Sequence, residues 1–215
     1  MENKIFEVRY SSFTILDDDT CKRFIMPYFA DIFEVDTVTN VEVKIGFLEL
    51  RLMLFGSAMN NGFGMESVFD MEEYTLRIGK QIANFDNEEV NDDILEFYKY
   101  DITENDICII QSFEIIEKYR GKGIGKKIIR DLYIKFANSC GLFVVQTFPI
   151  QFEFNDGESL SEWEKQLNLK KLDKDFEKSF YKLKAFYQNI GFDHIDGYHD
   201  LMFLNPAIVN KKLGM

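Results

Sequence analysis

Residues 118–130 (KYRGKGIGKKIIR) hold six basic side chains, three glycines and no acidic residue, in a chain whose formal net charge is −12. They follow an apolar, strand-like run at 107–116 and open an amphipathic pattern carrying Ile128, Ile129, Leu132 and Phe136. A strand, a glycine-rich turn and a helix N-terminus together make an anion site. Glycine lets the backbone approach closely, unpaired N–H groups point outward, and the helix dipole favours negative charge. The ligand this chemistry suits is a phosphate or pyrophosphate.

Three glycine-rich patterns compete for the segment. The P-loop pattern GxxxxGK[ST] needs glycine where Arg120 stands, and Lys127 replaces the Ser/Thr that holds magnesium. The dinucleotide pattern GxGxxG fits Gly121 and Gly123 and fails at Lys126. What remains is Arg120-Gly121-Lys122-Gly123-Ile124-Gly125, which matches [RQ]xxGx[GA]. A second motif lies downstream, where Phe186-Tyr187-Gln188-Asn189-Ile190-Gly191-Phe192 reads FYxxxGF. In these motifs and their order, residues 95–204 resemble the GNAT superfamily of acyl-CoA-dependent N-acyltransferases. The N-terminal half resembles that family only loosely.

The resemblance implies a mixed α/β (α+β) fold: a mostly antiparallel twisted sheet flanked by helices, with a central βαβ crossover. It implies a single domain over 1–215, with an elaborated N-terminal half (1–93) and a coenzyme A-binding core (94–204). The implied reaction is direct transfer of acetyl from acetyl-CoA to a primary amine, with no metal. The strand before the loop would part from the next one, and Phe113 and Ile115 would offer main-chain bonds to the pantetheine arm. Arg120, Gly121, Lys122, Gly123, Ile124, Gly125 and Lys126 would hold the pyrophosphate. Tyr187 would be the general acid for the departing thiolate. Many members carry Asn seven residues before this Tyr, where Phe180 stands here, with Ser179 adjacent.

A lysine-like amine must lose a proton before attack, which at pH 7 costs about 4 to 5 kcal/mol. Glu114 is the candidate base, on the strand expected to part, with Ser112 on the same side. Tyr187 also lies on the apolar stripe of its helix, so a core residue with a satisfied hydroxyl is an alternative reading. Two further functions stay open: a non-catalytic acyl-CoA-binding sensor or assembly module, and a generic nucleotide-phosphate binder.

Composition bounds these readings. The 215 residues are 46% hydrophobic and 15% aromatic, with 22 Phe, which predicts a filled core. The acidic balance argues against nucleic acid as partner and suits a cationic small-molecule or peptide amine. The apolar content is compatible with a homodimer. No apolar leader core or membrane-length run is present, so a cytoplasmic protein without a membrane partner is expected. Cys21, Cys108 and Cys140 lack metal-type spacing and read as buried thiols, and His194 and His199 are isolated.

The elements that must position these groups follow from periodicity. Residues 4–15 alternate as a strand. Asp17, Asp18 and Asp19 offer a cap for a helix bearing Phe24, Tyr28, Phe29, Ile32 and Phe33, broken at Pro27. Residues 41–55 alternate, with the phase slipping at Gly46-Phe47. A helix is expected over 67–85, which the resemblance would make an insertion that shapes the acceptor pocket. Strands follow at 94–100 and 107–116, then a helix from Gly125 ending at Cys140-Gly141, and a buried strand at 142–148. A polar stretch at 150–172 leads into a long helix ending near Ile190, and closing strands span 192–204.

Overall fold

The computed structural model describes residues 3–14, 20–102, 104–153 and 161–214. Strands β1 (Lys4–Ser12), β2 (Ile25–Asp36) and β3 (Glu42–Met53) form an antiparallel meander. Ile32 pairs with Gly46 and Phe33 with Lys44, so Ile45 is the extra residue of a bulge where the alternation was expected to slip.

The helix expected around Phe24, Tyr28, Phe29, Ile32 and Phe33 is a strand instead. Those five positions satisfy a helical period, but Tyr28, Ala30 and Ile32 also alternate with Phe29, Asp31 and Phe33. Two long neighbours pair with the segment and decide the matter. Pro27 is tolerated because β1 ends opposite Tyr28, leaving one side of the strand free there. A 3₁₀ turn, Cys21–Phe24, precedes the strand. The Asp17–Asp19 cap lies outside the described residues.

Three short helices follow: α1 (Phe55–Asn60), α2 (Met65–Phe69) and α3 (Glu73–Ile82). The single helix expected over 67–85 is thus broken. The Thr75 hydroxyl sits 2.7 Å from the Phe69 carbonyl and 2.9 Å from that of Glu72, satisfying groups the break exposes. A small hairpin of β4 (Ala83–Asn84) and β5 (Glu89–Val90) comes next. Residues 94–100, expected as a strand, carry helix α4 (Asp92–Phe97). Asp92 and Asp93 in its first turn complement the helix dipole, and Ile94 and Tyr98, four apart, are buried together.

The C-terminal half runs β6 (Ile107–Ile115), α5 (Ile124–Phe136), β7 (Leu142–Gln146), α6 (Glu162–Leu167), α7 (Phe176–Asn189) and β8 (Leu201–Leu204); α6 stands in the stretch expected as polar and irregular, and of the closing strands expected over 192–204 the structure has β8 and a single bridge from Asp193 to Phe203. The main sheet runs β1-β2-β3-β6-β7-β8, and every neighbouring pair is antiparallel except β6 with β7. Helix α5 makes the crossover between those two parallel strands. One face of the sheet packs Leu48, Leu50, Cys108, Ile110, Phe143 and Val145 against Ile128, Ile129 and Leu132 of α5 and Tyr187 of α7. The other buries Met53, Ile107, Ile109 and Val144 beneath α1 to α4. The three cysteines are buried and form no disulfide. Among the described residues no helix is long and apolar enough to cross a membrane, and no group of His, Cys, Asp or Glu could hold a metal ion.

Ile129 is fully buried at the centre of the crossover helix. Ile129→Ala should lower unfolding free energy by about 2 to 5 kcal/mol, read as a fall in urea midpoint at unchanged slope.

Candidate functional site

After Ile110 the two central strands part. β6 pairs with β7 only from Ile107↔Leu142 to Ile110↔Val145, yet stays paired with β3 through Ile115. The parting coincides with a second bulge: Leu50 faces Ile110 and Glu49 faces Ser112, leaving Gln111 as the extra residue. Beyond it Phe113 and Ile115 lean on the α5 side of the sheet, and alternation turns Ser112 and Glu114 to the opposite face.

The gap is a cavity of about 660 Å³. Gln111, Ser112 and Phe113 line it from β6, Gln146, Phe148 and Pro149 from the end of β7 and just beyond, and Ser179, Lys182, Phe186 and Tyr187 from α7. Arg120 and Gly121 reach it from the glycine-rich loop. The Gln111 Oε1 atom is buried with no hydrogen-bond partner among the described residues. Leaving such an acceptor unpaired costs about 1 to 3 kcal/mol, so a donor belonging to a ligand would satisfy it.

The loop itself is built to leave amides free. Gly121 (φ 71°) and Gly123 (φ 76°) both take the left-handed conformation, with open space where a Cβ would stand. Gly123 is the N-cap of α5 and brings no side-chain cap. The backbone N–H groups of residues 121–126 make no hydrogen bond among the described residues. Gly125 serves close approach instead, since a Cβ there would lie 3.1 Å from the Phe186 ring. Ile124 is buried and anchors the helix start in the core, so it can offer a ligand only its backbone.

The three expected cations differ in role. Arg120 donates from Nε to the Ile115 carbonyl (2.7 Å) and from a terminal nitrogen to the Leu167 carbonyl (2.8 Å). Burial holds its pKa below the usual guanidinium value. It clips the loop to the end of α6 and is spent as a charge donor, and it also occupies the Ile115 carbonyl. Lys122 is exposed, its ammonium 5.4 Å from the Tyr119 ring, and Lys126 is exposed without a partner among the described residues.

Tyr187 is buried on α7 and lines the cavity, but no described residue hydrogen-bonds its hydroxyl. Burial, then the proximity of Tyr74, push its pKa well above the ordinary phenol value, so it carries its proton throughout the neutral range. Glu114 accepts a 2.5 Å hydrogen bond from the Trp163 indole and a 3.4 Å bond from the Ser112 hydroxyl. It does not line the cavity. Phe180 stacks on the His199 ring at 4.9 Å, and Ser179 spends its hydroxyl on the Asp173 carbonyl and the Gln151 amide.

Sequence reasoning missed Gln111, Tyr74, Arg77 and Glu153. A polar residue inside the apolar run at 107–116 was a signal for Gln111. The others come from α3 and from the stretch after β7. The Tyr74 hydroxyl lies 3.4 Å from the Ile110 carbonyl, where the strands part, and Arg77 donates to Gln146 Oε1 at 3.0 Å. Helix α3 thus touches the end of β7 and the point where the strands part, although none of its residues lines the cavity. The chain matches no family model, no curated protein and no solved structure.

Gln111→Leu should raise folding stability by about 1 kcal/mol, because it removes a buried unpaired group. The same change should weaken a ligand that donates to Oε1, by up to about tenfold for one neutral hydrogen bond. Chemical denaturation and calorimetry with coenzyme A on one preparation check both signs.

Proposed function

We propose that the chain is an acetyl-CoA-dependent N-acetyltransferase with a GNAT-type core, transferring acetyl directly to a primary amine. One observation carries this reading. The strand that leads into a loop of six unpaired amides parts from its parallel neighbour immediately beside that loop. A cradle for a diphosphate and a slot for an extended amide-bearing arm are thereby joined, which is the shape of coenzyme A. A bare nucleotide phosphate would use the cradle and leave the slot unexplained.

The residues divide the work physically. Amides of 121–126 take the diphosphate oxygens, with Lys122 and Lys126 adding long-range attraction. The unpaired edge of β6 at 111–113 offers the pantetheine arm backbone partners, and Gln111 Oε1 accepts from one of its N–H groups. A main-chain amide aimed at the thioester oxygen would stabilise the developing oxyanion by roughly 3 kcal/mol. Phe113, Phe148 and Phe186 keep water from the reacting carbon. Tyr187, with its hydroxyl unclaimed by the protein, holds the proton the thiolate leaving group needs. This favours the acid role over that of a satisfied core tyrosine.

The non-catalytic reading draws on two observations: Phe180 occupies a position where many GNAT enzymes carry Asn, and Glu114 is tied to Trp163. Turnover separates the two readings. Titration calorimetry should detect coenzyme A binding that weakens as salt rises. Gly123→Ala should weaken it further, since a left-handed alanine costs about 1 to 2 kcal/mol. Tyr187→Phe should keep that binding and lower thiol release with an amine panel by about 10²- to 10⁴-fold. Binding without thiol release from the unmodified chain would favour the sensor, and absence of binding would overturn both.

A further inference from the structure

Among the described residues four charged side chains line the cavity: Arg120, Glu153, Asp173 and Lys182. Three are already engaged. Arg120 is held on two backbone carbonyls, and Asp173 pairs with Lys182 at 3.1 Å and with Lys178 at 2.8 Å. Glu153 alone has neither a hydrogen bond nor an ion pair through its carboxylate among the described residues. Its backbone is nonetheless fixed. The turn Ile150–Phe152 closes with the Glu153 amide on the Ile150 carbonyl at 3.0 Å, Phe152 packs edge-on to Phe176 at 5.2 Å, and Gln151 bonds the Ser179 hydroxyl at 3.0 Å. An exposed carboxylate on a fixed backbone therefore shares a cavity with a phenol, both unpaired among the described residues.

We infer that Glu153, rather than Glu114, receives the acceptor's ammonium group and takes its proton, and that the acceptor is an amine protonated at neutral pH. This inference rests on the transferase reading above. In the step, R–NH₃⁺ gives one proton to the Glu153 carboxylate, and the freed nitrogen lone pair forms a C–N bond to the thioester carbon. The C–S bond then breaks, its electron pair stays on sulfur, and the Tyr187 hydroxyl protonates that thiolate. The nitrogen's second proton restores Tyr187, and Glu153 releases the first to solvent. Net, an ammonium and an acyl thioester give an amide, a thiol and one proton.

The electrostatic surroundings agree. Partial desolvation first, then repulsion from Glu114 of β6, hold the Glu153 pKa above the ordinary carboxylate value, against the pull of Arg77 of α3. Tyr74 of α3 also faces it, remaining neutral because burial raises its own pKa. A raised carboxylate pKa makes a stronger base, and the acid limb of kcat/KM should fall as pH drops through that raised value.

The test measures thiol release from acetyl-CoA with ethylamine and spermidine, which are cationic at pH 7, and with hydroxylamine, which is already neutral. Glu153→Gln should lower kcat/KM for the two cationic amines by about 10²-fold or more, and for hydroxylamine by far less. Its deficit with ethylamine should shrink as pH rises and free amine accumulates, and Glu153→Asp should recover part of the loss. Equal losses for all three amines, or a selective loss in Glu114→Gln but not in Glu153→Gln, would overturn the assignment. So would a parallel collapse of acetyl-CoA affinity in Glu153→Gln. Wild type that binds acetyl-CoA by calorimetry yet releases no thiol with any of the three overturns the role of Glu153 and leaves the donor site standing. Absence of acetyl-CoA binding defeats the underlying transferase reading instead.

Discussion

The structure turns on the separation of β6 from β7 beyond Ile110. Two parallel strands that stayed paired would fill each other's hydrogen bonds and leave no room between them. The bulge at Gln111 interrupts that outcome at one residue. It rotates the rest of β6, keeps the strand on β3 through Ile115, and frees its other edge. The cavity, the unpaired amide oxygen of Gln111 and the placement of Phe113 all follow from that single extra residue. A bulge is a local cost in ladder hydrogen bonds, and the long pairing of β3 with β2 on its far side supplies the rigidity to bear it.

The loop after β6 depends on the same geometry. Because the strand leaves its neighbour, the chain can turn through two left-handed glycines and start α5 with its amide groups uncovered. Arg120 then ties the turn to the end of α6. This use of the arginine is structural: a guanidinium committed to two carbonyls fixes where the free amides sit, while Lys122 and Lys126 stay exposed. Trp163 of α6 meanwhile holds Glu114. The segment around α6 is therefore fastened at two points to the strand and loop that make the site.

The region around the parting of the strands is assembled from elements distant in sequence. Tyr74 and Arg77 come from α3 and Glu153 from the turn after β7, and they converge on the end of β7 and the parting of the strands. Arg77 and Glu153 bring one charge of each sign there, within a chain whose net charge of −12 gives a negative long-range field.

The sequence by itself determined whatever depends on neighbours along the chain. The charge inversion and glycine spacing of residues 118–130 specify a strand, turn and helix start, because turn conformation and helix initiation are local events. The alternation of 41–55 and its slip near Gly46 were legible for the same reason. Tertiary structure decided the rest. Residues 24–33 fit two periods, and only flanking strands made them β2. The short run at 94–100 became helix because exposed Asp92 and Asp93 complement its dipole while Ile94 and Tyr98 are buried against a neighbouring layer. Glu114, the expected base, has its carboxylate held by Trp163, 49 positions away, a partner that only the fold brings near. Glu153 carried no signal at all. Which carboxylate is left unpaired depends on every partner the fold brings near, and such pairings are fixed only when distant segments meet.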